Sequence, residues 1–184
     1  MLGLHPWHSG AAEPGWTARL EQLLRATKSG LGECGLDHAR EAPCREVQRS
    51  AFRAQLRLAR DLHRPVAIHA VRCWADLLAA LGETGPLPAG ALVHDFSGSP
   101  ETARSLQGLG LFLSFSGRIL HPTGARARTA LSQADGTLLL LESDGATHLS
   151  EVLAGAAALR GEPPEDLARR TWENGRRCFK ELIG

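Results

Sequence analysis

The chain has 184 residues, of which 43% are apolar and 22% are charged, and its formal net charge is +1. This size suits a single domain over residues 1–184, and the composition is that of a globular protein rather than a collagen-like, disordered or membrane-spanning one. A net charge near zero excludes a strong overall attraction to nucleic acid, so any such binding has to be local.

From the sequence we expect neither a secretory signal nor a membrane-spanning helix. The first residues lack the charged segment and apolar stretch of a secretory signal. The apolar runs, such as residues 138–141, are far shorter than the ~20 residues of a membrane helix. The four cysteines show no pairing pattern, so we predict reduced thiols and a cytoplasmic protein.

Short continuous apolar runs alternate with longer amphipathic segments along the chain. The runs are typical of buried parallel strands and occupy residues 66–68, 91–93, 111–113 and 138–141. Between them, apolar residues at helical spacing predict three buried helix faces: Val47, Ala51, Leu58 and Leu62; Trp74, Leu77, Leu78 and Leu81; Leu149, Val152, Leu153 and Ala156. This alternation predicts a parallel α/β sheet with right-handed crossovers.

Alternation alone leaves an open sheet and a closed barrel as alternatives. No glycine-rich nucleotide-binding motif follows any of the runs, which disfavours an open nucleotide-binding sheet. The positions of the polar residues favour the barrel, because a barrel brings the carboxyl ends of all its strands to one face.

Four potential metal ligands lie where strands are predicted to end: Glu33, His69, His94 and Asp144. They are separated by 36, 25 and 50 residues, the spacing of one long, one ordinary and two combined strand–helix units. Two imidazoles and two carboxylates suit zinc, manganese or magnesium. Each residue alone has a simpler interpretation: the histidines as hydrogen-bonded residues at strand ends, and the carboxylates as N-caps of the next helix. Four such residues at this spacing favour a site for one or two metal ions.

Five motifs follow one another along the chain: Gly3-Leu4-His5-Pro6, Gly32-Glu33-Cys34-Gly35-Leu36-Asp37, Val66-Ala67-Ile68-His69, His94-Asp95-Phe96-Ser97-Gly98-Ser99 and Leu141-Glu142-Ser143-Asp144. In this order they resemble the motifs of the TatD family of metal-dependent deoxyribonucleases. The helix with Gln48, Phe52, Gln55, Leu56 and Ala59 and the ending Asn174-x-x-Arg177-x-Phe179 are also similar. The resemblance covers nearly the whole chain.

The resemblance implies a TIM barrel that holds divalent ions and hydrolyses phosphodiesters of DNA, as an exonuclease in several members. Carried over by position, Glu33, His69, His94 and Asp144 are the expected metal ligands. Asp144 or Glu33 is expected to accept or orient the proton of the attacking water.

The resemblance also suggests residues that contact the substrate. His5 lies in the family's His-Pro motif near the site, and Ser97 belongs to a loop that can meet a phosphate. Arg72 follows the strand that carries His69. Two roles fit this position: a contact to the substrate phosphate, or an exposed cation at the start of a helix. Trp7 is expected to be a buried rim residue rather than a base-stacking one.

This chain departs from the family pattern at its beginning. The first motif corresponds to the end of the family's third strand, so we expect an incomplete barrel that lacks the first two strand–helix units and their His-x-His ligands. An open wedge would expose strand edges and apolar surface, which makes self-association of the chain an expectation.

Three functions therefore stay open at this point. The first is an active deoxyribonuclease with DNA as substrate and no membrane partner. The second is a truncated, catalytically impaired remnant that binds metal or a partner without turnover. The third is a metal-dependent hydrolase of amides or esters.

Overall fold

The computed structural model describes residues 1–145 and 147–183, with only the backbone of residue 183. Strands and helices alternate along the described chain. The strands are β1 (Leu31–Asp37), β2 (Val66–Val71), β3 (Ala91–Val93), β4 (Phe112–Phe115) and β5 (Leu139–Leu141). The α-helices are α1 (Trp16–Ala26), α2 (Arg45–Asp61), α3 (Trp74–Thr84), α4 (Pro100–Gly108), α5 (Ala125–Gln133), α6 (Leu149–Arg160), α7 (Pro164–Cys178) and α8 (Lys180–Ile183).

The chain divides into two compact units. Unit 1 comprises residues 1–92 and the C-terminal residues from 179 onward, and unit 2 comprises residues 93–178. The single domain expected over residues 1–184 and the missing strand–helix units stay predictions.

The sheet of unit 1 is parallel, as predicted from the buried apolar runs. β1 pairs with β2, with Gly35 opposite His69, and the backbone of Leu2 forms a bridge to Leu31 beside β1. A Cβ on Gly35 would lie 2.0 Å from the carbonyl oxygen of His69, so a glycine is required where the two strands approach. The sheet packs against α2 through buried side chains such as Phe52 and Leu56.

The buried face of α2 differs from the predicted one. Ala51 is buried, but Val47 is exposed, and the buried positions include Gln48 and Gln55. These two amides replace apolar side chains because each one is hydrogen-bonded to backbone groups, which removes the free-energy penalty of burying them. Hydropathy spacing alone therefore predicted the wrong stripe.

Unit 2 repeats the parallel pairing with β4 and β5, in the register Ser114 opposite Leu140. The rings of Phe96 and Phe115 pack edge to face at 5.6 Å in its core. Asn174 of α7 is buried, and its Nδ2 donates to the carbonyl oxygens of Gly136 and Leu139 at 2.8 Å each. This amide attaches α7 to the start of β5.

Two of the predicted strand-end ligands lie inside strands instead. Glu33 is the third residue of β1, and His69 is the fourth residue of β2. Both strands continue because backbone pairing extends to Asp37 and Val71. The apolar run 66–68 stops short of the end of β2 because the polar His69 interrupts it before Ala70 and Val71.

Candidate metal centre

In unit 1, His5, Glu33 and His69 come together. Their potential ligand atoms all lie within 4.8 Å of one another. Glu33 Oε2 is 3.8 Å from His5 Nε2 and 3.9 Å from His69 Nδ1. Two donors on one ion lie at most ~4.2 Å apart, which is twice a bond of ~2.1 Å, so these two separations fit a shared cation.

The orientation of His69 is set by Asp37. His69 Nε2 is 3.2 Å from Asp37 Oδ2. An ionised carboxylate only accepts hydrogen bonds, so Nε2 carries the ring proton and Nδ1 presents a lone pair towards Glu33. A carboxylate behind a metal-binding histidine is a common arrangement that raises the basicity of the ligand.

Asp37 is itself held firmly, being only 3% exposed. Its Oδ2 also accepts a hydrogen bond from Trp7 Nε1 at 2.7 Å, and its Oδ1 accepts one from the backbone N–H of Ala39 at 2.9 Å. Burial raises the pKa of Asp37, but the hydrogen bonds from Trp7, His69 and Ala39 outweigh it and hold the pKa below its usual value. The carboxylate is therefore ionised at neutral pH.

Sequence reasoning did not single out Asp37 as a site residue. The available signal was its position four residues after Glu33, because residues i and i+4 of a strand share a face. Trp7 was expected to be buried, but 41% of it is exposed. The ring is nevertheless fixed, because its Nε1 donates to Asp37 and Arg40 stacks over it at 3.7 Å from its centroid.

His5 differs from His69 in its hydrogen bonding. Its Nδ1 accepts from the backbone N–H of Trp7 at 3.3 Å, so the neutral ring carries its proton on Nε2, facing Glu33. Burial, together with the nearby His69, lowers the pKa of His5 despite the opposing effect of Glu33. This arrangement favours His5 as a hydrogen-bond donor beside the site rather than as a metal ligand.

Two buried glutamines of α2 position the backbone of this cluster. Gln55 Oε1 accepts from the N–H of Leu4 at 2.7 Å, and Gln55 Nε2 donates to the carbonyl of Leu4 at 3.0 Å. Gln48 makes the same pair of bonds with Asp37, at 2.7 and 3.1 Å. One helix therefore places both the residue before His5 and the carboxylate behind His69.

In unit 2, His94 follows β3 directly and lies beside Glu142. His94 Nδ1 is 3.4 Å from Glu142 Oε1. The same oxygen accepts the backbone N–H of Asp95 at 2.6 Å, and Glu142 Oε2 accepts the Ser114 hydroxyl at 2.8 Å. Glu142 is a second carboxylate behind a histidine that sequence reasoning did not single out.

Asp144 lines a polar cavity of about 330 Å³ within unit 2. Its backbone has a φ of 47° and that of Asp95 has a φ of 42°, left-handed values that are uncommon outside glycine. The cavity is also lined by Asp95, Ser116, Gly117, Arg118, His121, Thr123, Ser143 and Thr147. Asp144 thus shares this cavity with an arginine and several hydroxyl groups.

The other predicted substrate residues have less defined surroundings. Ser97 is half-buried between β3 and α4. Arg72 is exposed directly after β2, with a φ of 53°. The convergence of Glu33 and His69 of unit 1 with His94 and Asp144 of unit 2 stays a prediction.

Two other sequence predictions concern the chain as a whole. All four cysteines have free thiols. Among the residues that the structure describes, no helix combines the length and the apolar character needed to cross a membrane.

A family model described as "TatD related DNase" matches residues 1–180. The 3'-5' ssDNA/RNA exonuclease TatD of Pantoea vagans is 30% identical over 202 residues, covering 97% of this chain and 76% of that protein. An uncharacterized metal-dependent hydrolase of Bacillus subtilis, YabD, is 27% identical over 164 residues, covering 82% of this chain and 64% of that protein.

Solved structures give the same result for the fold. The crystal structure of the TatD homologue YJJV from Escherichia coli matches with a TM-score of 0.90 at 28% identity, covering 97% of this chain and 75% of that one. A TatD family hydrolase from Entamoeba histolytica matches with a TM-score of 0.81 at 16% identity. The predicted α/β, TIM-barrel-like fold is confirmed.

Proposed function

Because the chain belongs to the family of TatD-related DNases, we propose that it is a metal-dependent phosphodiester hydrolase that cleaves DNA as an exonuclease. The observation that carries this proposal is the buried Asp37 behind His69, which turns the lone pair of His69 Nδ1 towards the Glu33 carboxylate. A carboxylate in this position is the usual partner of a histidine that binds a metal ion.

The proposed ligands are Glu33, His69, His94 and Asp144, holding one or two divalent ions of magnesium, manganese or zinc. The donor set fits, since imidazole nitrogen and carboxylate oxygen bind all three metals with different preferences. A bound divalent ion supplies Lewis-acid polarisation of the phosphoryl group and lowers the pKa of a coordinated water.

The side chains of this chain supply the remaining steps. Asp144 or Glu33 accepts the proton of the attacking water. His5, with its proton on Nε2, donates a hydrogen bond beside Glu33, and Ser97 and Arg72 contact the substrate phosphate. Asp37 and Glu142 hold the two ligand histidines in orientation.

The proposal extends to the state of the protein in the cell. The continuous family match supports one domain over residues 1–184, and the four free thiols support a cytoplasmic location. Exposed Trp172 and Leu149 line one apolar groove of unit 2, which supports self-association with a second copy.

The test is hydrolysis of a 5'-labelled single-stranded DNA with and without divalent metal. We expect cleavage that chelation abolishes and that Glu33→Gln lowers by more than about 100-fold, because the variant loses a charged ligand. Thermal unfolding of the variant should match that of the wild type, since Glu33 is exposed.

Glu21→Gln, a change at a surface carboxylate of α1 paired with Arg25, is the matched control and should keep full activity. Metal binding without any turnover would instead support the catalytically impaired remnant. Turnover of esters or amides with no cleavage of DNA would support the third function.

A further inference from the structure

The polar cavity of unit 2 holds an arginine that the proposed function does not use. Arg118 Nε lies 3.1 Å from both carboxylate oxygens of Asp95, and its Nη2 also donates to Asp95 Oδ2. We propose that Arg118 binds a backbone phosphate of the nucleic-acid substrate, next to the phosphate being cleaved, with Asp95 as the residue that orients it. This inference rests on the proposed nuclease function.

A guanidinium group can form two parallel hydrogen bonds along either of two edges. The edge made by Nε and Nη2 is occupied by Asp95. None of the described residues accepts a hydrogen bond from Nη1, so the second edge, formed by Nη1 and Nη2, is open. Two N–H groups in this fork match two non-bridging oxygens of a phosphodiester.

Asp95 keeps this second edge in place. Its carboxylate also accepts a hydrogen bond from the Ser116 hydroxyl, and its backbone N–H is bound by Glu142. The pairing with Asp95 raises the pKa of Arg118, although an arginine is charged at all physiological pH values in any case. A pre-oriented fork loses less conformational entropy on binding than a mobile surface arginine.

The surroundings of Arg118 are those of a substrate cleft rather than of a structural ion pair. The Arg118 side chain is 47% exposed and lines the same cavity as Asp144, a proposed acceptor of the proton of the attacking water. Hydroxyl groups of Ser143 and Thr147 lie along the same wall. A Cβ on Gly117 would lie 2.1 Å from Thr147 Oγ1, so the glycine beside Arg118 lets Thr147 approach the loop.

The ion pair between Arg118 and Asp95 leads to a specific prediction for the Arg118→Gln variant. Removing the cation leaves the Asp95 carboxylate unpaired in the cavity, where it would repel a phosphate. The double variant Arg118→Gln with Asp95→Asn removes this repulsion as well. A direct phosphate contact is lost in both variants, whereas repulsion by the unpaired carboxylate is present only in the single variant.

The kinetic test compares two substrates that differ in their number of phosphates. We expect Arg118→Gln to raise KM for the single-stranded oligonucleotide dT10 about tenfold with kcat within about twofold, the loss of roughly one hydrogen-bonded charge contact. The double variant should keep most of this defect. Hydrolysis of bis(p-nitrophenyl) phosphate, which has no second phosphate, should be unchanged in both.

Arg104→Gln is the matched control, since Arg104 of α4 lies in the same unit and pairs at the surface with Glu101. It should leave both substrates unaffected. Equal losses on dT10 and on the one-phosphate ester, restored activity in the double variant, or no change at all would each overturn the proposal.

Binding separates this proposal from the nuclease assignment. If the wild type cleaves neither substrate, the proposed function fails, and the affinity for fluorescein-labelled dT10 is then measured by anisotropy. Weaker binding by both Arg118→Gln and the double variant supports the phosphate contact. Unchanged binding in either variant overturns it.

Discussion

His69 of unit 1 and His94 of unit 2 each lie beside a carboxylate, but the two carboxylates are held in different ways. Asp37 is almost fully buried and accepts hydrogen bonds from Trp7, His69 and the backbone of Ala39. The Glu142 side chain is 23% exposed, and one of its hydrogen-bonding partners is a hydroxyl group. The carboxylate beside His69 is therefore more deeply buried than the carboxylate beside His94.

The two pairs also use opposite nitrogens of the imidazole ring. Asp37 accepts a hydrogen bond from Nε2 of His69, so Nδ1 of that ring faces Glu33. Glu142 lies beside Nδ1 of His94 instead. The carboxylate therefore approaches a different ring nitrogen in each unit.

The largest expected effect distinguishes Asp37→Asn from Glu142→Gln. In Asp37→Asn, three N–H donors face a side chain that has one oxygen and one NH₂ group, so at least one donor meets another donor. We expect metal affinity to fall about 100-fold, the upper end for residues behind a metal ligand. Isothermal titration with manganese measures it.

Glu142→Gln should lower metal affinity much less. A glutamine can keep its oxygen towards the N–H of Asp95 and donate its NH₂ group to the Ser114 hydroxyl, which can act as an acceptor. Equal losses in the two variants would contradict the difference drawn between the two pairs.

The next effect concerns two glutamines that make the same contacts in different units. Gln55 binds both backbone groups of Leu4, and Gln107 of α4 binds both backbone groups of Asp135, at 2.9 and 3.0 Å. Replacing either one by leucine removes both of its hydrogen bonds to the backbone, each worth about 1 kcal/mol, so each variant should lower the free energy of unfolding by about 2 kcal/mol. Urea titration measures this loss.

Metal affinity should separate the two leucine variants. Gln55→Leu should lower it several-fold because Leu4 precedes His5, whereas Gln107→Leu should leave it unchanged. If Gln107→Leu lowered metal affinity as much as Gln55→Leu, the loss would follow general destabilisation rather than the position of His5.

The smallest effect is the pH dependence of an ion-pair network. Glu162 of unit 2 accepts hydrogen bonds from Arg170 and, at 2.7 Å, from Arg160 Nε. The bond from Arg170, with that from Arg160, holds the pKa of Glu162 below its usual value despite burial. A lowered pKa stabilises the fold above the unfolded-state pKa of about 4.3, and the contribution is lost as pH falls through the folded-state value.

Glu162→Gln should therefore lower the free energy of unfolding by about 1 kcal/mol at pH 7. The difference from the wild type should shrink as the pH falls below about 4. Glu83→Gln in unit 1, where the exposed Glu83 pairs with Arg53, is the comparison and should have a smaller effect. Urea titrations at several pH values would contradict this if the gap for Glu162→Gln grew in acid.

Much of the fold was predictable because β2, β3 and β5 contain continuous apolar runs, whereas β1 does not. Residues 66–68 and 91–93 lie in β2 and β3 as predicted. The errors in the predicted buried face of α2 have a common cause, which is hydrogen bonding. Gln48 and Gln55 are polar in sequence yet buried, and Val47 is apolar yet exposed, because satisfied amide groups can replace apolar side chains in a core.

The candidate site was predictable in its residue types and less so in its contacts. Glu33 and His69 were predicted to be ligands, and the structure places Glu33 Oε2 3.9 Å from His69 Nδ1 in unit 1. Asp37 and Glu142 were not identified, although both belong to the motifs. Nothing in a motif states which carboxylate binds the ion and which one binds a histidine.

The amino-acid sequence by itself determined the alternation of strands and helices, the family and the chemical types at the site, because these depend on local hydropathy and on ordered motifs. Only the tertiary structure decided which nitrogen of each histidine lies beside a carboxylate, that Trp7 donates to Asp37, and that Arg118 pairs with Asp95 in the cavity that Asp144 lines. These features depend on hydrogen bonds between residues distant in the chain, and the direction of such bonds is set by packing rather than by residue order.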